Sequence, residues 1–357
     1  MNLKEALCAI PDVKAVLIIL DGADSHLLAS SADAQYDIGF EDSRKEHRFV
    51  VDGKVSRLAK IMPTDTEITV KAGKIRLDAG RGVYQYHLLP HDQFPLISDA
   101  GKWATIPLNA ADLKKAITFV QHAAAHQDVR FYMNGVHRRI AGKRCDCVAT
   151  DGSALAVKSV DLTEAVSDDY RVTLSNKCIA EIIKLLGGSN VNLEIGTTDQ
   201  GRYLVRILSD GIRYTAVPFD TNYPEYGAVV EAHAARSYAS FSAAPLIDAI
   251  QRIDFAVGAA GAVNLTLGNN QLTITSATDE GKDGCEKVVA IPNPDCNGTH
   301  EAGVRMQLMD FAVRAAAALS EVVAIGWIDA EHAYTFSPAN AEAKALQERW
   351  IVMPYRL

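Results

Sequence analysis

The sequence predicts an α+β chain in which one unit, antiparallel strands covered on one face by amphipathic helices, is used three times. Three observations predict it. A β-rich run, a polar turn and a second run end on a small residue and Asp over residues 16–33, 129–151 and 263–279, the endings being Ser31-Ala32-Asp33, Ala149-Thr150-Asp151 and Ala277-Thr278-Asp279. A strand pattern also meets proline at the far end of each unit, at Tyr86–Pro90, Tyr214–Pro218 and Trp350–Pro354, with Phe94-Pro95 and Tyr223-Pro224 following the first two. Segments of helical periodicity interrupt the strands between these marks. Self-similarity at a long, nearly fixed spacing means one fold repeated, and the marks place the units at 1–103, 104–231 and 232–357.

In the first unit, residues 50–62 read as a helix with Lys54, Arg57 and Lys60 on one face and Val51, Val55, Leu58 and Ile61 on the other. Residues 67–77 alternate about an Ala72-Gly73 turn and read as a hairpin. The second unit offers a helix over 108–125 opening on an Asn109 cap and carrying Lys114 and Lys115. A second helix over 175–188 has a Ser175 or Asn176 cap, Lys177 and Lys184 on its length, and a Gly187-Gly188 stop. Asn192–Ile195, Tyr203–Leu208 and Ile212–Val217 make an antiparallel set. The third unit has helices over 242–256 with Arg252 and over 306–320 with Arg314, and a hairpin about residues 268–270.

Hydrophobic residues are 48% of the chain and charged residues 22%, the balance of ordinary globular domains. No apolar run approaches the roughly 18–20 residues of a membrane span, and the opening lacks a basic region and a small-residue cleavage site. A cytoplasmic protein is expected. The six cysteines have no Cys-x-x-Cys and no ligand spacing, so they read as reduced thiols, several in core strands, with neither a metal site nor a disulfide framework and no cofactor expected. The net charge of −8 argues by itself against nucleic acid. Its distribution argues otherwise, because basic residues gather on helices in all three units while acidic ones lie more in loops and at strand edges. Such a layer would hold phosphates without reading bases.

The segments Ala125–Gly135, Val148–Val157, Glu181–Gly188, Tyr223–Tyr226 and Val352–Leu357 closely resemble the bacterial DNA polymerase III β subunit, the sliding clamp, in order and across the second and third units. The first unit resembles the family from about Phe49 to Pro95, and its opening is short. The resemblance implies three clamp domains per chain, a head-to-tail homodimer ring with sheets outside and helices lining the hole, and sequence-independent binding of double-stranded DNA. It places DNA contact at Lys114, Lys115, Gln127, Lys177 and Lys184, with Arg57, Lys60, Arg252 and Arg314 as further candidates. It also implies a pocket for short peptide motifs of DNA polymerase, the clamp loader and repair factors. Its wall here would be Arg130, Met133, Thr150, Gly152, Leu155, Pro224, Val229, Ile351, Val352, Met353, Pro354, Tyr355, Arg356 and Leu357. The largely apolar ending agrees, since a chain end is normally polar. For ring closure the resemblance points to Tyr84, Tyr86, Phe255 and Lys54.

Two departures alter the pocket. Ser153-Ala154 stands where relatives commonly carry His-Arg, and Gly227-Ala228 where a pair of arginines is frequent. A smaller, less polar rim predicts different or weaker peptide partners. An enzyme is not expected: the Gly-Lys pairs at Gly73, Gly101 and Gly142 lack the first glycine of a phosphate loop, His300-Glu301 has no second His at zincin spacing, and the repetition of the Asp endings marks them as turn residues. Two functions therefore remain, a replicative processivity clamp and an accessory or mobile-element variant with a narrowed partner set or a decoy role.

Overall fold

The computed structural model describes the chain except residues 45–46, 93, 189–190, 236, 259–260, 269, 277–283, 292–299, 330, 340–347 and 356–357. The third Asp ending (Ala277-Thr278-Asp279), Cys296, Arg356 and Leu357 lie outside the described residues. Two compact units result, Met1–Ala110 with Lys184–Asp220, and Ala111–Ile183 with Thr221–Leu357.

In chain order the elements begin with α1 (Leu3–Ala9), β1 (Ala15–Leu20), β2 (Ser25–Ser30), β3 (Ala34–Phe40), β4 (His47–Asp52) and α2 (Lys54–Ile61). Next come β5 (Glu67–Lys71), β6 (Lys74–Asp78), β7 (Val83–His87), β8 (Lys102–Ile106), α3 (Ala110–Val120), β9 (Gly135–Thr150), β10 (Ala154–Ser175) and α4 (Asn176–Leu185). Then follow β11 (Val191–Thr197), β12 (Tyr203–Ser209), β13 (Ile212–Ala216), α5 (Gly227–Ala232), β14 (Ser237–Ser242), α6 (Ala243–Asp254) and β15 (Ala262–Gly268). The last are β16 (Gln271–Ser276), β17 (Gly284–Val289), β18 (His300–Arg305), α7 (Met306–Ala317), β19 (Val322–Trp327), β20 (Tyr334–Pro338) and β21 (Glu348–Val352).

The first unit holds an antiparallel sheet in the order β4-β1-β2-β3-β13-β12-β11-β8 and a smaller one, β5-β6-β7. Its core is Leu7, Ile10, Ile18, Leu20, Leu27, Ile38 and Tyr214, all essentially without solvent contact. The Ala72-Gly73 and Asp210-Gly211 turns both have positive φ at each residue, 48° and 70° in one and 47° and 84° in the other. Two left-handed residues give a turn whose twist matches that of the paired strands. The short opening is helical: Asn2 Oδ1 accepts from Glu5 N at 3.0 Å while the Glu5 carboxylate accepts from Asn2 N at 2.8 Å, a reciprocal cap that starts α1.

The second unit holds β14-β19-β20-β21-β10-β9 and β17-β16-β15-β18. Trp350 is fully buried and its indole N–H donates to the Phe119 carbonyl at 2.9 Å, tying the last strand to the end of α3. The helix over 175–188 starts where Ser175 Oγ accepts from Cys178 N at 3.3 Å and stops where Gly187 and Gly188 N–H groups turn back onto the Lys184 and Leu185 carbonyls.

Two readings of local structure need correction. Residues 50–62 are not one helix, because Val51 lies in β4 and α2 begins after Gly53, where a Cβ would sit 1.7 Å from the Val13 carbonyl oxygen. The buried face of α2 is Val55, Ser56 and Ala59, and Ile61 is 82% exposed. Residues 129–151 are not a hairpin either. A single turn of 3-10 helix at Phe131–Met133 leads into one bent strand, β9, which pairs with β10. With Gly142 at φ +56°, the polar Gly142-Lys143 stretch bends β9 without reversing it.

Ala72 occupies the left-handed region without the freedom of glycine, which costs an alanine on the order of 1 kcal/mol. Ala72→Asn is expected to raise the thermal midpoint and Gly73→Ala to lower it, as read by circular dichroism melts.

Candidate partner-binding site and basic helix faces

The turn between β9 and β10 is built by its own side chains. Asp151 Oδ1 accepts from the Ser153 and Ala154 N–H groups, both at 2.7 Å, and Thr150 Oγ1 donates to the Ala154 carbonyl at 2.6 Å while accepting from Gly152 N at 3.1 Å. The Asp151 carboxylate is thus spent on the turn itself. Gly152 sits at φ +89°, and a Cβ there would lie 3.4 Å from an Arg130 guanidinium nitrogen. Arg130 is fixed in that place by Asp128, whose carboxylate accepts its Nε at 3.0 Å and its Nη2 at 2.8 Å. The same fork pulls the Asp128 carboxyl down to about 2.

The end of the chain arrives at this turn by strand pairing. In the β10–β21 ladder Leu155 is opposite Ile351 and Ala154 opposite Val352, after which Met353 N donates to the Ser153 carbonyl at 2.9 Å. Tyr355 N then donates to the Gly303 carbonyl at 2.8 Å, with the Arg305 guanidinium 5.4 Å from the Tyr355 ring. Arg130, Thr150, Gly152, Leu155, Ile351, Val352 and Met353 are therefore gathered around one turn, and Pro354 and Tyr355 lead on from it to Gly303. Leu155 and Ile351 are core residues, packed with Val148, Val157, Val230 and Ala333, and Tyr223 and Tyr226 close over them. Met133 and Val352 are also buried, so neither presents a face to solvent. Met353, Val229 and Pro224 are exposed.

Beside this cluster lies a cavity of about 400 Å³ that sequence reading missed. Ala141, Val157 and Val230 supply apolar lining, while Arg139, Arg144, Glu225 and Glu231 supply charge. A signal was present, since Val157 follows Leu155 at strand period two and Val230 adjoins Val229. Behind the cavity the His137 ring stacks on Tyr223 at 4.4 Å and its Nδ1 meets Thr173 Oγ1 at 2.9 Å. Burial first, then the Arg171, Arg138 and Arg139 charges, push the imidazole down to about 4.

The basic residues sort by what already neutralises them. Arg252 forks onto Glu286 with both contacts at 2.9 Å, Arg314 Nε donates to Asp310 at 2.7 Å, Lys60 lies 3.3 Å from Asp12, and Lys115 3.5 Å from Asp112. Lys54 and Arg57 on α2, Gln127, and Lys177 and Lys184 on α4 are exposed, and Lys114 is half-buried. Among the residues read as interface, Tyr84 is exposed and Tyr86 half-buried on β7, an edge strand, and Phe255 is 91% exposed at the end of α6. Among the described residues no group of three or more His, Cys, Asp or Glu side chains could hold a metal ion. No helix among them is long and apolar enough to cross a membrane.

The depressed His137 sets a pH dependence. Its folded value of about 4 lies below the unfolded value near 6.5, so the unfolded chain takes up the proton first and stability falls as pH drops between the two. His137→Leu is expected to flatten that part of the stability profile, as measured by denaturant titration across it.

Residues 107–225 match the family profile described as DNA polymerase III beta subunit, central domain. The beta sliding clamp of Pseudomonas aeruginosa is 26% identical over 226 residues, which is 62% of this chain and 61% of that protein. The beta sliding clamp of Haemophilus influenzae is 25% identical over 281 residues, 76% of this chain and 75% of the relative. The chain thus spans about 61% of the length of the first of these relatives in alignment. The crystal structure of the DNA polymerase III subunit beta from P. aeruginosa superposes with a TM-score of 0.86 at 22% identity, over 99% of this chain and 96% of that one. A P. aeruginosa DnaN sliding clamp solved with griselimycin gives 0.85 at 22%, over the same 99% and 96%. Residues 107–225 are thus similar in sequence to the central domain of the DNA polymerase III beta subunit, and the antiparallel sheets and helices of the chain have the fold of these sliding clamps.

Proposed function

We propose that the chain is a non-catalytic DNA sliding clamp, three domains long, that closes head to tail with a second copy around duplex DNA. The observation that carries this reading is the fold shared with the sliding clamps, combined with basic side chains on the helices and a net charge of −8 on the whole chain. Topological tethering needs only weak, sequence-blind attraction to phosphates. A negative exterior opposes adhesion elsewhere. Lys54, Arg57 and Lys114, with no carboxylate partner among the described residues, are free to contribute; Arg252 and Arg314 must first leave Glu286 and Asp310. The open edge at β7, with Tyr84 and Tyr86, and the exposed Phe255 supply aromatic anchors for the closing interface.

In this reading, peptide motifs of a polymerase and a clamp loader dock where Met353, Pro354 and Tyr355 meet the Thr150–Ala154 turn. Partners beyond those two classes follow from which side chains the rim offers. The rim favours a second reading, an accessory clamp with a narrowed partner set, because Gly227-Ala228 and Ser153-Ala154 provide no cation, whereas Glu225 precedes α5 and Glu231 lies within it.

Incubated with a clamp loader and nicked circular DNA, the protein is expected to remain bound until the circle is linearised and then to slide off. Retention on linear DNA, or none on circles, contradicts the tether. Lys114→Ala is expected to lessen the dependence of binding on salt concentration by roughly one counterion. For the pocket, Met353→Ala is expected to weaken a polymerase-derived docking peptide by about tenfold, the effect of some 1.4 kcal/mol, in fluorescence anisotropy. Unchanged affinity places the peptide elsewhere.

A further inference from the structure

The cavity beside the chain end is open where residue 227 has no side chain. Gly227 lines the space, and a Cβ there would meet nothing within 4 Å. Its φ is not positive, so the backbone does not require glycine at this position. The volume of about 400 Å³ falls in the range of small-ligand sites, about 300–1,000 Å³. None of the residues lining it belongs to the peptide-pocket wall expected from sequence.

The cavity is nevertheless continuous with that wall. Val157 and Val230 pack in one cluster with Leu155 and Ile351, and Val157 follows Leu155 on the same face of β10, about 7 Å further along the strand. An extended segment seated at the Thr150–Ala154 turn therefore reaches the cavity within roughly two or three residues.

Charge decides what the space can hold. Arg139 donates through Nε and Nη2 to Asp169 at 3.2 and 3.1 Å. Arg171 shares Asp169 at 3.3 Å and reaches Glu225 at 3.1 Å, so these arginines and carboxylates balance. Arg144 is matched by Asp146, whose carboxylate also accepts from Ser159 and Tyr226. Glu231 is exposed on α5 and has no ion-pair partner among the described residues. A negative charge is thus left over at the edge of an apolar recess formed by Ala141, Val157 and Val230. An anionic ligand would add to that excess or displace a carboxylate from an arginine. A cation on an aliphatic stem suits both parts, with the stem against the valines and the charge beside Glu231.

We propose that the cavity is a subsite for a lysine or arginine side chain flanking the apolar docking motif of a protein partner. The peptide occupant rests on the docking surface proposed above; the preference of the cavity for an alkyl cation does not. The subsite also gives a narrowed partner set its chemistry, since a motif with a flanking base is favoured and one with a flanking acid is repelled by Glu231.

Two measurements test it. Butylguanidinium titrated into isotope-labelled protein is expected to move the amide resonances of Gly227, Val230 and Glu231, and its neutral isostere butylurea to move them less. In fluorescence anisotropy, a polymerase-derived docking peptide with lysine placed beside its apolar anchor is expected to bind about two- to fivefold tighter than the same peptide with norleucine there, the strength of an exposed ion pair. Glu231→Gln, which removes the charge, and Gly227→Leu, which fills the space, are each expected to erase that ratio. Equal shifts from butylguanidinium and butylurea overturn the cation site, and this comparison needs no substitution. Equal affinity of the two peptides, or a ratio that survives Glu231→Gln, overturns the flanking-base subsite. If neither peptide binds while butylguanidinium does, the docking surface and the peptide occupant fail together and the cation site alone stands.

Discussion

The pairing of β10 with β21 is the constraint on which the second unit depends. It joins residues 154–158 to residues 348–352, nearly two hundred positions later, in an antiparallel ladder whose side chains are almost all buried. Trp350 anchors that ladder to α3 through its indole, and Lys158 is paired with Glu348 on the same stretch. A contact so distant in sequence is entropically costly to close. It persists because Leu155, Val157 and Ile351 enter one apolar cluster with Val230 and Ala333. Only once it is made does the chain end reach the Thr150–Ala154 turn. The candidate docking surface is a consequence of a core ladder, which explains why it mixes deeply buried residues with exposed Met353 and Val229.

Sequence made much of this legible. The hairpins at Ala72-Gly73 and Asp210-Gly211 were readable because strand alternation flanks a two-residue turn, and the turn chemistry acts locally. The helices α3, α4, α6 and α7 were readable for the same reason, since period and terminal signals lie within a few residues. The errors came where local signals competed. Val50 and Val51 suit both a strand and a helix face, and Gly53, required by a close approach to Val13 that no local pattern reveals, decided between them. Gly142-Lys143 has the composition of a hairpin turn, yet the pairing of β9 with β10 on both sides of it makes it a bend.

Charge was the least legible property. Helical spacing locates Lys and Arg on a wet face but not their partners. Arg252 and Arg314 look like phosphate contacts in sequence and are carboxylate-bound in the folded chain, one across to β17 and the other one turn back along α7. Exposed ion pairs are worth little to stability. Their effect on binding is larger in kind, because each is a cation already given a counter-ion. Under the proposed function, attraction for DNA phosphates is carried by the side chains without such partners among the described residues, Lys54, Arg57 and Lys114 among them.

The same accounting of charge, carried inward, separates two uses of arginine in one strand. Arg139 faces out, where Asp169 accepts its Nε and Nη2 at 3.2 and 3.1 Å, and its environment raises an already high pKa. Arg138, one residue earlier, faces in, where desolvation is the leading influence on it. Strand alternation alone assigns the two fates.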